Sequence, residues 1–231
     1  LSMFPEFLRR KDPYLEFYGL IADNLYHPYA TKRKLLKLLP FFEERGEWNR
    51  QATIYSVLLQ NYFFYQENRD AVDSLARSTS EFLERSGDRL DERKRRLLEA
   101  LLPLGEGWGN TEDEETFEAA LRAEETSIQL HDNESYLCSR LVLARKYIGR
   151  GDFQAARKLL TRTLNGFGDD RYGKPYVSLI SFYLGDISFY TGDIHAAIRE
   201  VQEGLSNSSS DFAFRPYLEI NLVIYNLYLQ K

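Results

Sequence analysis

The chain has 231 residues, of which 30 are Lys or Arg and 35 are Asp or Glu, so its formal net charge is −5. This acidic balance argues against a nucleic-acid-binding surface over most of the chain. A content of 43% hydrophobic and 28% charged residues is typical of a globular protein and excludes disorder throughout. With only 14 Gly and 7 Pro, the composition favours helices over a β protein with many tight turns.

The cellular setting follows from cysteine content and hydropathy. The single cysteine, Cys138, excludes an intrachain disulfide, so a reducing, cytoplasmic environment is expected. The most apolar stretch, 54–65, is shorter than the roughly 18 residues that a membrane span needs, and the first residues do not form a signal peptide. We therefore expect no membrane partner. Because the chain starts at Leu1 and ends inside an apolar helical pattern, we also expect it to be a segment of a longer protein.

Five helical hairpins and a final helix are predicted along the chain. The first hairpin opens at Asp12-Pro13, a helix N-cap followed by a Pro whose missing amide proton costs nothing at the first helical position. No loop is long enough to be a linker between domains, so one domain, 1–231, is expected. In chain order, the predicted helix pairs are 13–26 with 30–45, 48–65 with 69–86, 91–105 with 112–131, 134–149 with 153–165, and 175–190 with 194–206, and the final helix is 214–230.

An internal repeat supports these pairs. The segment 151–156 (Gly-Asp-Phe-Gln-Ala-Ala) matches 192–197 (Gly-Asp-Ile-His-Ala-Ala) at an offset of 41. In each copy, Gly can take the left-handed conformation that ends a helix, and Asp can accept amide protons at the start of the next. Earlier turns are predicted near Gln66-Glu67 and Trp108-Gly109-Asn110, the latter followed by a capping box at 111–114.

Small residues recur where paired helices would cross closely. A larger side chain at such a position would hold the two helices apart. The repeat frame predicts close helix crossings at Ala144, Ala156, Gly185 and Ala197.

The repeat resembles the tetratricopeptide repeat (TPR). Leu143, Ala144, Tyr147, Gly151 and Ala156 match its pattern, and the next copy also matches except for Ser188 at the aromatic position. The period of 41–43 residues is longer than the 34 of the standard repeat. The resemblance implies an all-α, right-handed superhelix of about five hairpins plus a terminal helix.

A second resemblance concerns the first fifty residues. The segments 4–15 (Phe-Pro-Glu-Phe-Leu-Arg-Arg-Lys-Asp-Pro-Tyr-Leu) and 42–47 (Phe-Glu-Glu-Arg-Gly-Glu) are similar to the helical sensor region of large bacterial ATP-dependent transcriptional regulators related to the maltose-regulon activator. This resemblance implies a segment that senses an inducer or partner between an ATPase module and a DNA-binding module. The chain itself contains no phosphate-binding Gly-rich loop.

The first helices of successive hairpins line the concave surface of such an array, where a ligand or partner would bind. Arg145 could pair with a carboxylate or phosphate, and aromatic rings could cover apolar or sugar faces. For the aromatic residues, a position in the core is the simpler interpretation. The residues predicted to line this groove are Gln60, Phe63, Phe64, Glu99, Arg145, Asp186, Phe189 and Tyr190.

The sequence gives little support for catalysis or for a cofactor. His27, His131 and His195 lie in three different hairpins, and none has a second ligand at metal-binding spacing. Cys138 lies on an apolar helix face, where inert burial is the expected outcome. The basic run 93–96 is expected to face solvent and to be offset by acidic residues of the next helix, rather than to contact nucleic acid.

We therefore expect a non-catalytic recognition module, with the sensor segment of a bacterial transcriptional regulator as the first hypothesis. Its partner would then be a small-molecule inducer whose binding shifts the curvature of the array. The alternative is a protein-interaction scaffold that binds a peptide or a partner helix in the same groove. The final helix lacks a following partner, so Leu222, Ile224, Leu227 and Leu229 are expected to expose apolar surface.

Overall fold

A computed structural model describes residues 12–24, 27–65, 69–106, 114–167, 174–208, 210, 212 and 214–230. All regular structure in these ranges is helical, which confirms the all-α fold class there. The predicted helix ranges agree with the observed ones to within three residues. The helices are α1 (Pro13–Asp23), α2 (Pro28–Glu44), α3 (Trp48–Tyr65), α4 (Arg69–Ser86), α5 (Glu92–Glu106), α6 (Glu114–Gln129), α7 (Asn133–Gly149), α8 (Phe153–Phe167), α9 (Lys174–Tyr190), α10 (Ile194–Asn207) and α11 (Arg215–Leu229), with a short 3₁₀ turn, Gly87–Arg89, between α4 and α5.

The described helices form two compact units. The first comprises the described residues up to 106 together with 122–136, and the second comprises 114–121 together with 137–230. In the first unit α1 packs on α2, α2 on α3, and α3 on both α4 and α5. In the second α8 packs on α9, α9 on α10, and α11 on both α10 and α9. Packing between successive helices and between alternate helices is typical of stacked helical hairpins.

Four of the turns between helices share one backbone geometry. Gly46, His131, Gly151 and Gly192 all have positive φ angles, of 64°, 52°, 74° and 87°. In each turn this residue donates its amide proton to the carbonyl three residues earlier, at 2.9–3.1 Å. The next residue donates to the carbonyl five residues earlier, at 2.9 Å. This pair of hydrogen bonds is the Schellman motif, which satisfies the last carbonyls of a helix.

Three of these turns also begin the next helix with an aspartate cap. The Oδ1 atoms of Asp132, Asp152 and Asp193 accept from the backbone amides three residues later, at 2.9, 3.0 and 2.9 Å. The predicted function of the Gly-Asp pairs at 151–152 and 192–193 is thereby confirmed. The turns predicted near 66–67 and 108–110 and most of the capping box at 111–114 lie outside the described residues.

Substitution of the non-glycine residue with positive φ, His131, and of a glycine such as Gly151 should change the free energy of unfolding in opposite directions. His131 has a Cβ in a conformation that favours glycine, so His131→Gly should raise the free energy of unfolding by about 1 kcal/mol. Gly151→Ala introduces that Cβ and should lower it by about the same amount, although no atom lies within 4 Å to clash with it. Urea denaturation of both variants measures the two values. Changes of the same sign would contradict a backbone origin.

The predicted small positions lie in the core of the second unit. Ala144, Ala156 and Ala197 are fully buried. Gly185 on α9 is so close to α10 that an added Cβ would lie 2.7 Å from Cγ2 of Val201. Close helix crossing is therefore confirmed at Gly185 and at Ala197, whose carbonyl oxygen would lie 3.4 Å from the added Cβ, whereas for Ala144 and Ala156 the structure shows burial.

Ser188, which departs from the TPR pattern, has a clear structural explanation. It is buried on α9, and its hydroxyl donates to Oε2 of Glu200 on α10 at 2.6 Å. Arg157 on α8 donates to Oε1 of Glu200 at 2.6 Å and also to the Ser188 hydroxyl. An aromatic ring here would fill the space that this ion pair occupies. One repeat earlier the aromatic residue is present, and Tyr147 contacts the ring of Phe117 edge-on at 5.4 Å.

Across the described residues, no helix has both the length and the apolar character needed to cross a membrane.

Candidate functional site

Of the four predicted groove residues of the first unit, the structure describes the side chains of two, Gln60 and Glu99, which have different surroundings. Gln60 is buried, and its Nε2 donates to Oγ of Ser135 at 2.9 Å, so its side chain serves packing between α3 and α7. Glu99 is exposed on α5, where its Oε1 lies 3.9 Å from Nη1 of Arg95. The side chains of Phe63 and Phe64 lie outside the described part of the chain.

The second unit contains Asp186 in a polar cluster between α9 and α11. Its Oδ1 accepts from Nδ2 of Asn221 at 2.8 Å and from the hydroxyl of Tyr225 at 2.6 Å. Burial raises the pKa of the Asp186 carboxyl, and these two hydrogen bonds oppose that shift because they stabilise the charged form. Burial also raises the pKa of the Tyr225 hydroxyl, with the neighbouring carboxylate as a further cause. Through its Oδ1 atom, Asp186 therefore helps to hold α11 against α9.

Phe189 and Tyr190, also on α9, belong to a surface that we call the aromatic patch: Phe153, Phe189, Tyr190 and Tyr228. Tyr190 stacks on Phe153 with a centroid distance of 6.0 Å, and Phe189 contacts Tyr228 edge-on at 4.9 Å. The ring centroids of Phe189 and Tyr190 are 6.0 Å apart, so the four rings form one connected surface. Tyr190 is 61% exposed and Tyr228 is 53% exposed, so the patch presents two aromatic faces to solvent.

Arg145 is partly exposed on α7, in the same unit. It lies 41 residues before Asp186, at the equivalent position of the preceding repeat. Among the predicted groove residues of this unit, Tyr190 is exposed, whereas Arg145, Asp186 and Phe189 are partly buried, the last two in contact with α11.

Sequence reasoning missed the contribution of α11 to this site. Asn221 and Tyr225 lie one helical turn apart and so share a face of α11, and that face covers Asp186 and Phe189. Tyr225 is 2% exposed and stacks on Phe189 at a centroid distance of 4.7 Å. The sequence does contain a signal for this contact. Asn221 and the hydroxyl of Tyr225 are polar groups within an otherwise apolar helix, and such groups indicate a buried polar partner, here Asp186 on α9.

The outer side of α11, which carries Ile224 and Leu227, is largely uncovered, and so is Leu229 at the C-terminal end of the helix. Ile224, Leu227 and Leu229 are 38%, 56% and 42% exposed, which confirms the prediction for these residues. For Leu222 the prediction was wrong. This side chain is partly buried against the core cluster of α10 and α11 because it lies on the inner side of the helix.

The remaining sequence features have structural explanations. In the basic run 93–96, Arg96 donates to Oε1 of Gln129 at 2.5 Å, and Gln129 in turn donates to Glu125 at 3.3 Å. Cys138 is fully buried, as predicted. Within the ranges that the structure describes, no group of three or more His, Cys, Asp or Glu side chains could hold a metal ion.

Comparisons of the chain with protein-family models, with curated proteins and with solved structures gave no match.

Proposed function

We propose that this chain is a non-catalytic recognition module that binds a peptide segment of a partner protein at the aromatic patch. The observation that carries the proposal is the pair of exposed rings, Tyr190 and Tyr228, joined through Phe189. Tyrosine rings supply large contact areas at low entropic cost and are enriched among the residues that dominate protein interfaces. Their open arrangement suits an extended or helical peptide.

A TPR-like right-handed superhelix is the architecture that we propose for this module. It is supported by the residue matches to the TPR pattern, by the shared turns at Gly151 and Gly192, and by the close helix crossing at Gly185. Recognition by such arrays uses surfaces built from several repeats. The aromatic patch combines residues of α8, α9 and α11 in this way.

A selection of phage-displayed random peptides against the full chain tests peptide binding. We expect the selected peptides to bind the wild-type chain and to lose about tenfold or more in affinity to Tyr190→Ala, since truncation of a central aromatic residue removes much of the binding energy. Tyr18→Ala is the matched control, because Tyr18 is also an exposed tyrosine, 44% accessible, with a neighbouring ring. Peptides that bind Tyr190→Ala as tightly as Tyr18→Ala would refute the proposed site.

The second candidate is the sensor segment of a bacterial transcriptional regulator acting in the cytoplasm. It is favoured by the resemblance of the first fifty residues and by Arg145, whose guanidinium suits an anionic inducer. A thermal-shift screen with sugars, nucleotides and amino acids tests it, because a ligand that binds only the folded chain raises the melting temperature. A shift that Arg145→Ala abolishes and Tyr190→Ala preserves would favour the sensor over the peptide-binding module.

A further inference from the structure

The outer side of α2 is basic, although the whole chain has a net charge of −5. Four of the six residues from 32 to 37 are Lys or Arg, and no Asp or Glu occurs from 24 to 42. Leu35, Leu38 and Phe42 are buried, so they define the inner side of the helix. The opposite side, which we call the basic face, carries three exposed cations: Arg33, Lys34 and Lys37.

The basic face differs from the run 93–96 because no acidic residue accompanies it. Side chains three or four positions apart on a helix are neighbours, so an acid at that distance can pair with a cation. The run 93–96 has Asp91, Glu92 and Glu99 at such distances, and Oε1 of Glu99 lies 3.9 Å from Nη1 of Arg95. The basic face has no acid at these distances. Among the residues that the structure describes, none forms an ion pair with its three cations.

The spacing of these cations suits the carboxylates of a partner. Arg33 and Lys37 are four positions apart and Lys34 and Lys37 are three apart, which places their Cβ atoms about 5–6 Å from each other. Like charges at this spacing repel, and an anionic partner would remove the repulsion. Glutamates one helical turn apart in a partner have the same spacing. Leu36, which is 42% exposed beside the cations, offers an apolar contact.

The surroundings of the basic face favour a narrow partner. Oε1 of Glu43, in the last turn of α2, lies 3.0 Å from Nη2 of Arg85 on α4, so the two helices are neighbours at this end. Exposed positions of α4 carry acidic residues, among them Asp70, Glu81 and Glu84. A membrane surface or a nucleic-acid duplex is wide enough to meet these acids, which would repel it. A peptide that follows α2 meets mainly cations.

We propose that the basic face binds an acidic segment of a partner protein, whose carboxylates pair with Arg33, Lys34 and Lys37 while an apolar residue contacts Leu36. Arg33 can hold a carboxylate through two parallel hydrogen bonds, whereas the lysines act as point charges. Because exposed ion pairs are individually weak and are screened by salt, the affinity falls as the salt concentration rises. The proposal does not depend on peptide binding at the aromatic patch, which lies in the other unit.

Fluorescence anisotropy with a labelled acidic peptide tests this proposal. The probe is a synthetic peptide that repeats the unit Glu-Glu-Leu, added to the full chain at low ionic strength. We expect saturable binding that weakens about fivefold or more when Arg33→Gln and Lys37→Gln are combined. The matched control combines Arg93→Gln with Lys94→Gln, which changes the net charge equally but removes cations that have acidic neighbours. Unchanged melting temperatures show that both double variants stay folded.

The same titrations include the outcomes that would overturn the proposal. An acidic peptide that does not bind the wild-type chain, or that binds the two double variants equally, would overturn it. Tighter binding of phosphatidylserine vesicles or of a DNA duplex than of the peptide, with the same dependence on Arg33 and Lys37, would assign the face to that partner instead. Tyr190→Ala should leave the binding of the acidic peptide unchanged. A loss in that variant would place the peptide at the aromatic patch and also overturn the proposal.

Discussion

Replacement of Tyr225 by alanine is expected to lower the free energy of unfolding by about 4 kcal/mol, one of the two largest effects that we predict. Tyr225 is 2% exposed, stacks on Phe189 and donates its hydroxyl proton to Asp186 at 2.6 Å. Alanine would leave a cavity the size of the ring between α9 and α11, and it would remove one of the two donors to a largely buried carboxylate. Urea denaturation of the wild-type and variant chains measures the loss.

Tyr225→Phe separates the contribution of the ring from that of the hydroxyl. It keeps the stacking and should cost about 1–3 kcal/mol, because Asp186 loses a hydrogen bond while it stays buried. The hydroxyl stabilises the charged carboxylate, so its removal raises the pKa of Asp186 further above the usual value. The cost of Tyr225→Phe should therefore increase as the pH rises through the titration of Asp186, and should be smallest in acid. A cost that does not depend on pH would mean that the hydroxyl does not stabilise the charge of Asp186.

The helix boundaries were predictable because they are encoded locally. A Gly-Asp pair such as Gly151-Asp152 supplies both the left-handed residue that ends one helix and the carboxylate that caps the next, within two positions. The turn at His131 shows the limit of this signal. It has the same backbone geometry without a glycine, so only the aspartate that follows marks it in the sequence.

The groove residues were harder to predict because their exposure depends on tertiary packing. The repeat frame places Asp186 and Phe189 on the inner side of α9, but it does not show that Asn221 and Tyr225 of α11 cover them. Gln60 is a similar case, since its hydrogen bond to Ser135 joins residues 75 positions apart. Contacts over such distances in the chain leave no periodic pattern in the sequence.

A second large loss of stability is expected from Gly185→Ala. The new Cβ would lie 2.7 Å from Cγ2 of Val201 and 3.4 Å from the carbonyl oxygen of Ala197, both on α10. Val201 is fully buried and β-branched, so it cannot rotate away without a strained side-chain conformation. Overpacking of this kind costs about 1–3 kcal/mol, of which the better helix propensity of alanine recovers up to about 1 kcal/mol.

Two further variants show whether the close approach of α9 and α10 causes that loss. Gly166→Ala, at an exposed position of α8 with no atom within 4 Å of the new Cβ, should raise the free energy of unfolding by up to about 1 kcal/mol. Val201→Ala should cost stability in the wild-type chain but much less in the Gly185→Ala chain, because it removes the clashing methyl group. Additive effects of the two substitutions at 185 and 201 would contradict direct contact. Coupled effects would mean that glycine is required at 185 because α10 crosses α9 there. The repeat frame predicts such a crossing at the equivalent small residue of each repeat.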